Sequence, residues 1–143
     1  MPTSRSPASF PTLMKLAEDA YSTYKEILKE CGASDTIGTC MFASISLCEL
    51  ALSRNFEAII RGGDGINNGG LFNEFGGHGH YWCEITLDGL SFYIDISAEQ
   101  FGYSSYIVKN VNDVTGWPRY IPGDQTLIDH HIHLAGDAAN LLI

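Results

Sequence analysis

A chain of 143 residues with 45% hydrophobic and 17% charged side chains carries enough apolar material for one folded unit, and is too short for a second catalytic module. Its 17 acidic against 8 basic residues give a net charge of −9 and no basic stripe to neutralise phosphates, which argues against nucleic acid as a partner. No run approaches the roughly 18 apolar residues of a membrane span, and the opening MPTSRSPASFPT lacks the apolar core of a secretory signal, so no membrane association and no export by that route are expected.

The acidic balance reads first as solubility through self-repulsion and second as an attraction for a basic partner. Four cysteines, at 31, 40, 48 and 83, form no CxxC pair in a chain able to build its own core. Free thiols in a reducing, cytoplasmic setting are therefore expected rather than a disulfide framework.

Residues 1–11 read as a flexible lead and residues 12–143 as a single domain. Leu13, Leu16, Ala17, Ala20, Tyr24, Ile27 and Leu28 fall at helical spacing with charged residues between them, which predicts an amphipathic helix to Lys29. Cys31-Gly32 ends it, and Ala33 to Gly38 make a short link. The next segment, CMFASISLCELALSRNF, is apolar on every side and predicts a buried central helix. Thr39 suits its N-cap, which places Cys40 in the first turn, where unpaired N–H groups and the helix dipole favour a thiolate.

Glu57 to Arg61 suggests a short strand. The glycine-rich stretch from Gly62 to Gly79 shows no period and reads as a long loop, placed to form a rim or lid next to His80. His80 to Leu87 and Ser91 to Ile96 are rich in aromatic and β-branched residues and flank Asp88-Gly89, a tight-turn pair, so a hairpin is predicted. A turn centred there pairs Leu87 with Leu90, Trp82 with Asp95 and His80 with Ser97. Asp95 is then a diagonal neighbour of His80 on one face. Further strands are possible near Tyr106 to Val108 and at Tyr120-Ile121, in a region broken by Pro118 and Pro122.

Thiol catalysis needs a thiolate, a base that returns a proton to the leaving amine, and a group that holds the imidazole in the useful tautomer. A cysteine opening a helix, a histidine opening a strand and an aspartate on the neighbouring strand fill those roles in order. The segments GTCMFAS, HYWCEI and YIDISAEQFG resemble the Cys, His and Asp motifs of the papain-like and transglutaminase-like cysteine enzymes, with His80-x-Trp82 and Asp95-x-Ser97-x-x-Gln100-Phe101 the more specific parts. The resemblance covers Thr39 to Gly102. It implies an α+β fold in which a buried central helix carrying Cys40 packs on a small antiparallel sheet. It also implies Cys40 as nucleophile, His80 as general acid and base, and Asp95 as the orienting group, acting on a protein or peptide substrate without cofactor or metal. Members of this superfamily hydrolyse peptide bonds, deamidate glutamine or transfer acyl groups to amines. No Gln stands shortly before Cys40, so its own backbone N–H and a second donor would form the oxyanion hole.

Trp82, Gln100 and His78 are the candidates for substrate contacts, with Tyr81 and Trp82 also suited to the cleft wall and core. His78 competes with His80 for the base role but lies in the glycine-rich stretch. Cys48 and Cys83 read as packing residues. A second constellation, DHHIHLAGD, would on a strand put His131 and His133 on one face with Asp129 and His130 nearby, a set able to hold zinc. The expected function is a cysteine-dependent amide hydrolase or acyl transferase. The alternatives are a non-catalytic binding or inhibitory module on the same fold, or a metal-dependent hydrolase using the C-terminal histidines.

Overall fold

The computed structural model describes residues 5–30 and 39–141, so Cys31 and the link from 33 to 38 lie outside the described residues. In chain order the elements are α1 (Arg5–Glu30), α2 (Cys40–Ser53), β1 (Glu57–Gly63), β2 (Gly70–Asn73), β3 (Gly76–His78), β4 (His80–Leu87), β5 (Leu90–Asp95), a 3-10 turn (Ala98–Phe101), β6 (Ile107–Asn110), β7 (Arg119–Ile121) and α3 (Gln125–Leu141). The fold is α+β, with two small antiparallel sheets and the described helices packed on the larger of them.

α1 buries Leu13, Leu16, Ala17, Ala20, Tyr24 and Leu28, the stripe its spacing predicts. Each large side chain in that stripe contributes about 1.5–3 kcal/mol through removal from water. The helix begins at Arg5 and runs through Pro11, so most of the expected flexible lead is helical. α2 differs from its expectation in another way. It buries Ala43, Ser44, Leu47 and Ala51 against α1, β1 and β4, while Phe42 is 41% and Leu52 54% exposed. Two packed layers cover only part of a helix's circumference, so an all-round apolar sequence here still leaves one side in solvent.

The four-stranded sheet has the order β1-β4-β5-β6. The β4–β5 hairpin takes the register set by its turn, Leu87 opposite Leu90 and Cys83 opposite Ile94. Asp88 and Gly89 both have positive φ, 54° and 80°, the type I′ geometry whose twist matches that of paired strands. The alternation of residues then splits the hairpin between two cores. Cys83, Ile85, Phe92 and Ile94 face α1 and α2, while Trp82 and Tyr93 pack with Leu71 and Tyr120 of a second sheet.

That second sheet, β3-β2-β7, replaces the loop expected between Gly62 and Gly79. Glycines carry no side chains to alternate, so the strands leave no periodic signal. Their backbones also pass too close for anything larger: a Cβ on Gly77 would lie 2.2 Å from the Gly65 carbonyl oxygen. The C-terminal segment departs furthest. The strand on which His131 and His133 would share a face is instead α3, anchored in the larger core by Ile128. None of the described helices is long and apolar enough to cross a membrane.

Candidate active site

His80 opens β4 and Asp95 closes β5, so the hairpin register alone sets them diagonally on one face. The His80 Nε2–H donates to Asp95 Oδ2 at 2.8 Å, and each residue is only 1% exposed. The tautomer follows from the partner, since an ionised carboxylate can only accept. Asp95 takes three further bonds: Tyr120 donates its hydroxyl to Oδ2 at 2.8 Å, and Ser97 donates its N–H and hydroxyl to Oδ1 at 2.9 and 3.2 Å. Gln100 Nε2 donates to the Ser97 carbonyl at 3.1 Å and fastens the turn that presents those donors.

Electrostatics follow this wiring. Burial pushes the Asp95 carboxyl up, but the charge and hydrogen bond of His80, with the Ser97 amide and Tyr120 hydroxyl, outweigh it and hold the group below 3.8. Burial first, and then the Asp95 charge, keep Tyr120 protonated far above its ordinary 10. For His80 burial is the largest influence and favours the neutral ring. The charge and hydrogen bond of Asp95, joined by the influence of the neighbouring Cys40, reverse it and raise His80 from 6.5 to about 10. The ring is therefore an imidazolium at neutral pH.

The other ring nitrogen, Nδ1, is buried without a hydrogen-bond partner. The neighbour acting on His80 besides Asp95 is Cys40, half-buried at the first position of α2. Thr39 is the N-cap but makes no side-chain cap bond; its Oγ1 pairs with the Tyr24 hydroxyl, and its carbonyl accepts the Ala43 N–H at 2.9 Å. The buried face of α1 thereby fixes where α2 starts. Tyr24 and Tyr81 are both raised, first by burial and then by the Cys40 charge, so both stand close to the thiol.

Trp82 is fully buried, with its ring 6.4 Å from that of His80 and 5.1 Å from that of Tyr120. It backs the histidine and offers no surface to a substrate. Phe101 stands edge-on to His80 at 5.0 Å and has His78 at 5.0 Å as well. His78 bonds Asn73 Oδ1 at 3.3 Å, not Asp95, and is not wired as a base. Cys83 donates to the Ser44 carbonyl at 3.1 Å, and burial raises both Cys83 and Cys48, as suits packing thiols. Sequence reasoning missed Tyr120: it reaches Asp95 from β7 in the other sheet, and nothing local to it signals that contact.

Among the described residues no group of three or more His, Cys, Asp or Glu side chains gathers as a metal site. On α3, Asp129 accepts from Gln125 Nε2 at 2.8 Å and His131 Nδ1 meets the Tyr81 hydroxyl at 3.3 Å. A cleft of about 310 Å³ along β6, bordered by Tyr103, Lys109 and Trp117, includes none of Cys40, His80 and Asp95. No family model matches this chain, and no curated protein or solved structure matches it either.

Proposed function

We propose that the chain is a cysteine-dependent amide hydrolase or acyl transferase with Cys40 as nucleophile, His80 as general acid and base and Asp95 as the orienting group. One observation carries this reading. A buried histidine is fixed through Nε2 on a four-bonded aspartate, and its unpartnered Nδ1 is the atom left for Cys40. The papain-like and transglutaminase-like arrangement, a helix presenting the nucleophile to a sheet that presents histidine and aspartate, is the finer fold this implies. Free thiols at Cys40, Cys48 and Cys83 suit a reducing, cytoplasmic setting.

The thiolate of Cys40 attacks the acyl carbon, and a C–S bond forms as the carbonyl π pair moves to oxygen. First-turn N–H groups of α2 are the natural donors to that oxyanion. The C–N bond then breaks, His80 gives its proton to the departing ammonia or amine, and a thioester remains. Neutral His80 next takes a proton from water or an acceptor amine, which attacks the thioester and releases Cys40. Protein or peptide amides are the substrate class.

Low-dose iodoacetamide at near-neutral pH, with the adduct located by mass spectrometry, tests the nucleophile. Labelling concentrated on Cys40 is expected. Labelling spread evenly over Cys31, Cys40, Cys48 and Cys83 overturns the assignment.

A further inference from the structure

A pocket of about 190 Å³ lies between β1, the turn after it, β4 and α3, and its wall residue Tyr81 is one on which the Cys40 charge acts. Its position follows from the register: Gly63, in its wall, pairs with His80, and Gly62 pairs with Tyr81, another wall residue. Gly62 lets two of the wall residues pack directly on the β1 backbone. A Cβ on Gly62 would stand 2.7 Å from Tyr81 Cδ1 and 3.1 Å from Ile128 Cδ1. One end is closed by the Tyr81 hydroxyl meeting His131 Nδ1.

The lining is divided by chemistry. Ile128, Leu127 and the Tyr81 ring make an apolar wall, while Asp64 and Asn68 stand on the turn that borders it. Asp64 is exposed and held ionised, because its Oδ1 accepts the N–H groups of Ile66, Asn67 and Asn68 at 2.8 to 3.0 Å. All three bonds go to one oxygen. The volume holds about six waters at roughly 30 Å³ each, the scale of one long side chain rather than of a drug-sized ligand. An apolar channel with a single fixed anion at its border suits an alkyl stem that carries a cation at its end.

We infer that this pocket is a specificity subsite for a lysine or arginine side chain of the substrate, held with its stem on Ile128, Leu127 and Tyr81 and its cation at Asp64. The inference rests on the proposed role of Cys40 and narrows its substrate to basic peptides, in keeping with the net charge of −9.

The test uses matched peptide vinyl sulfones differing only in Lys, Leu or Glu at the residue beside the warhead, with Cys40 adduct formation followed by mass spectrometry. The lysine probe should label about fivefold faster than the leucine probe, the gain an exposed ion pair of up to ~1 kcal/mol gives, with the glutamate probe slowest. That preference should collapse in Asp64→Asn, whose remaining oxygen can still accept the turn's N–H groups. In the unaltered protein it should shrink as sodium chloride rises to 1 M, where screening is short-ranged. Cys40 labelling with no lysine preference, or with a preference insensitive to both Asp64→Asn and salt, overturns the subsite and leaves the nucleophile standing. No Cys40 labelling by any probe or by iodoacetamide overturns the nucleophile, and the subsite with it.

Discussion

Asp95→Asn separates holding a histidine from charging it. The substituted amide cannot choose its orientation, because the Ser97 N–H, 2.9 Å from Oδ1, demands an oxygen there. The new NH2 group must then face His80 Nε2, where a donor now meets a donor. His80 has to surrender its Nε2 proton, accept from the amide, and carry its remaining proton on Nδ1, the atom that serves Cys40 in the proposed mechanism. With the carboxylate charge gone, the largest influence left on the ring is burial, so deprotonation moves from about 10 to near or below 6.5. That is a fall of about 3.5 pH units or more, worth roughly 5 kcal/mol at about 1.4 kcal/mol per unit. Loss of one partner of a buried pair should also lower stability by about 3 kcal/mol. Acylation of Cys40 by a peptide probe should slow on the order of 10³- to 10⁴-fold, the usual result of a wrong histidine tautomer. Nitrogen-15 NMR of the His80 ring reads protonation and tautomer directly, and urea unfolding reads stability. An Asp95→Asn protein whose His80 stays doubly protonated at pH 7, or keeps Nε2–H, would refute this account of the site.

Tyr120→Phe removes one of two donors to Asp95 Oδ2 without changing the ring, and should cost about 1.5–3 kcal/mol in urea unfolding, as expected for a buried bond to a charged acceptor. A cost below about 0.5 kcal/mol would mean that the hydroxyl contributes nothing to holding the carboxylate. The pH dependence of stability has a definite sign. His80 is raised in the folded protein, so its contribution is complete below 6.5 and is lost as pH rises to about 10. Asp95 is lowered, so its contribution is present above 3.8 and disappears as pH falls below that value. Urea midpoints should therefore be highest between these limits, and the decline from pH 7 to 10 should be absent in Asp95→Asn. Trp82→Ala should destabilise by about 3–5 kcal/mol because the fully buried ring backs both His80 and Tyr120; near-native stability in a thermal melt would contradict that role.

What could be read in advance divides along physical lines. α1 and the β4–β5 hairpin were legible because each writes its burial into the spacing of its own side chains, and Asp88-Gly89 fixes the hairpin register without outside help. The β2–β3 hairpin was not, since Gly70, Gly76 and Gly77 carry no pattern: Gly70 and Gly77 let backbones meet, and Gly76 takes a φ of 121°. α3 was misread because a run of histidines has no decided period, while its anchors, Ile128 and the Gln125 bond to the Ile60 carbonyl, depend on β1, far off in sequence.

The site follows the same division. His80 and Asp95 lie on one hairpin, so local geometry brings them together, and Thr39 marks Cys40 as the first residue of α2 although its hydroxyl pairs with Tyr24 instead of capping the helix. The pair's charges come first from each residue acting on the other, but the residues that hold the pair in place come from elsewhere as well. Tyr120 arrives from β7, Phe101 from the turn after β5, and Tyr24 holds the start of α2 from α1. A thiol at a helix start is a local design, while the carboxylate that charges His80 also takes a bond from another sheet. Mutations far from Cys40 in sequence, at Tyr120 above all, should therefore alter the protonation of His80 while leaving the thiol's own surroundings unchanged.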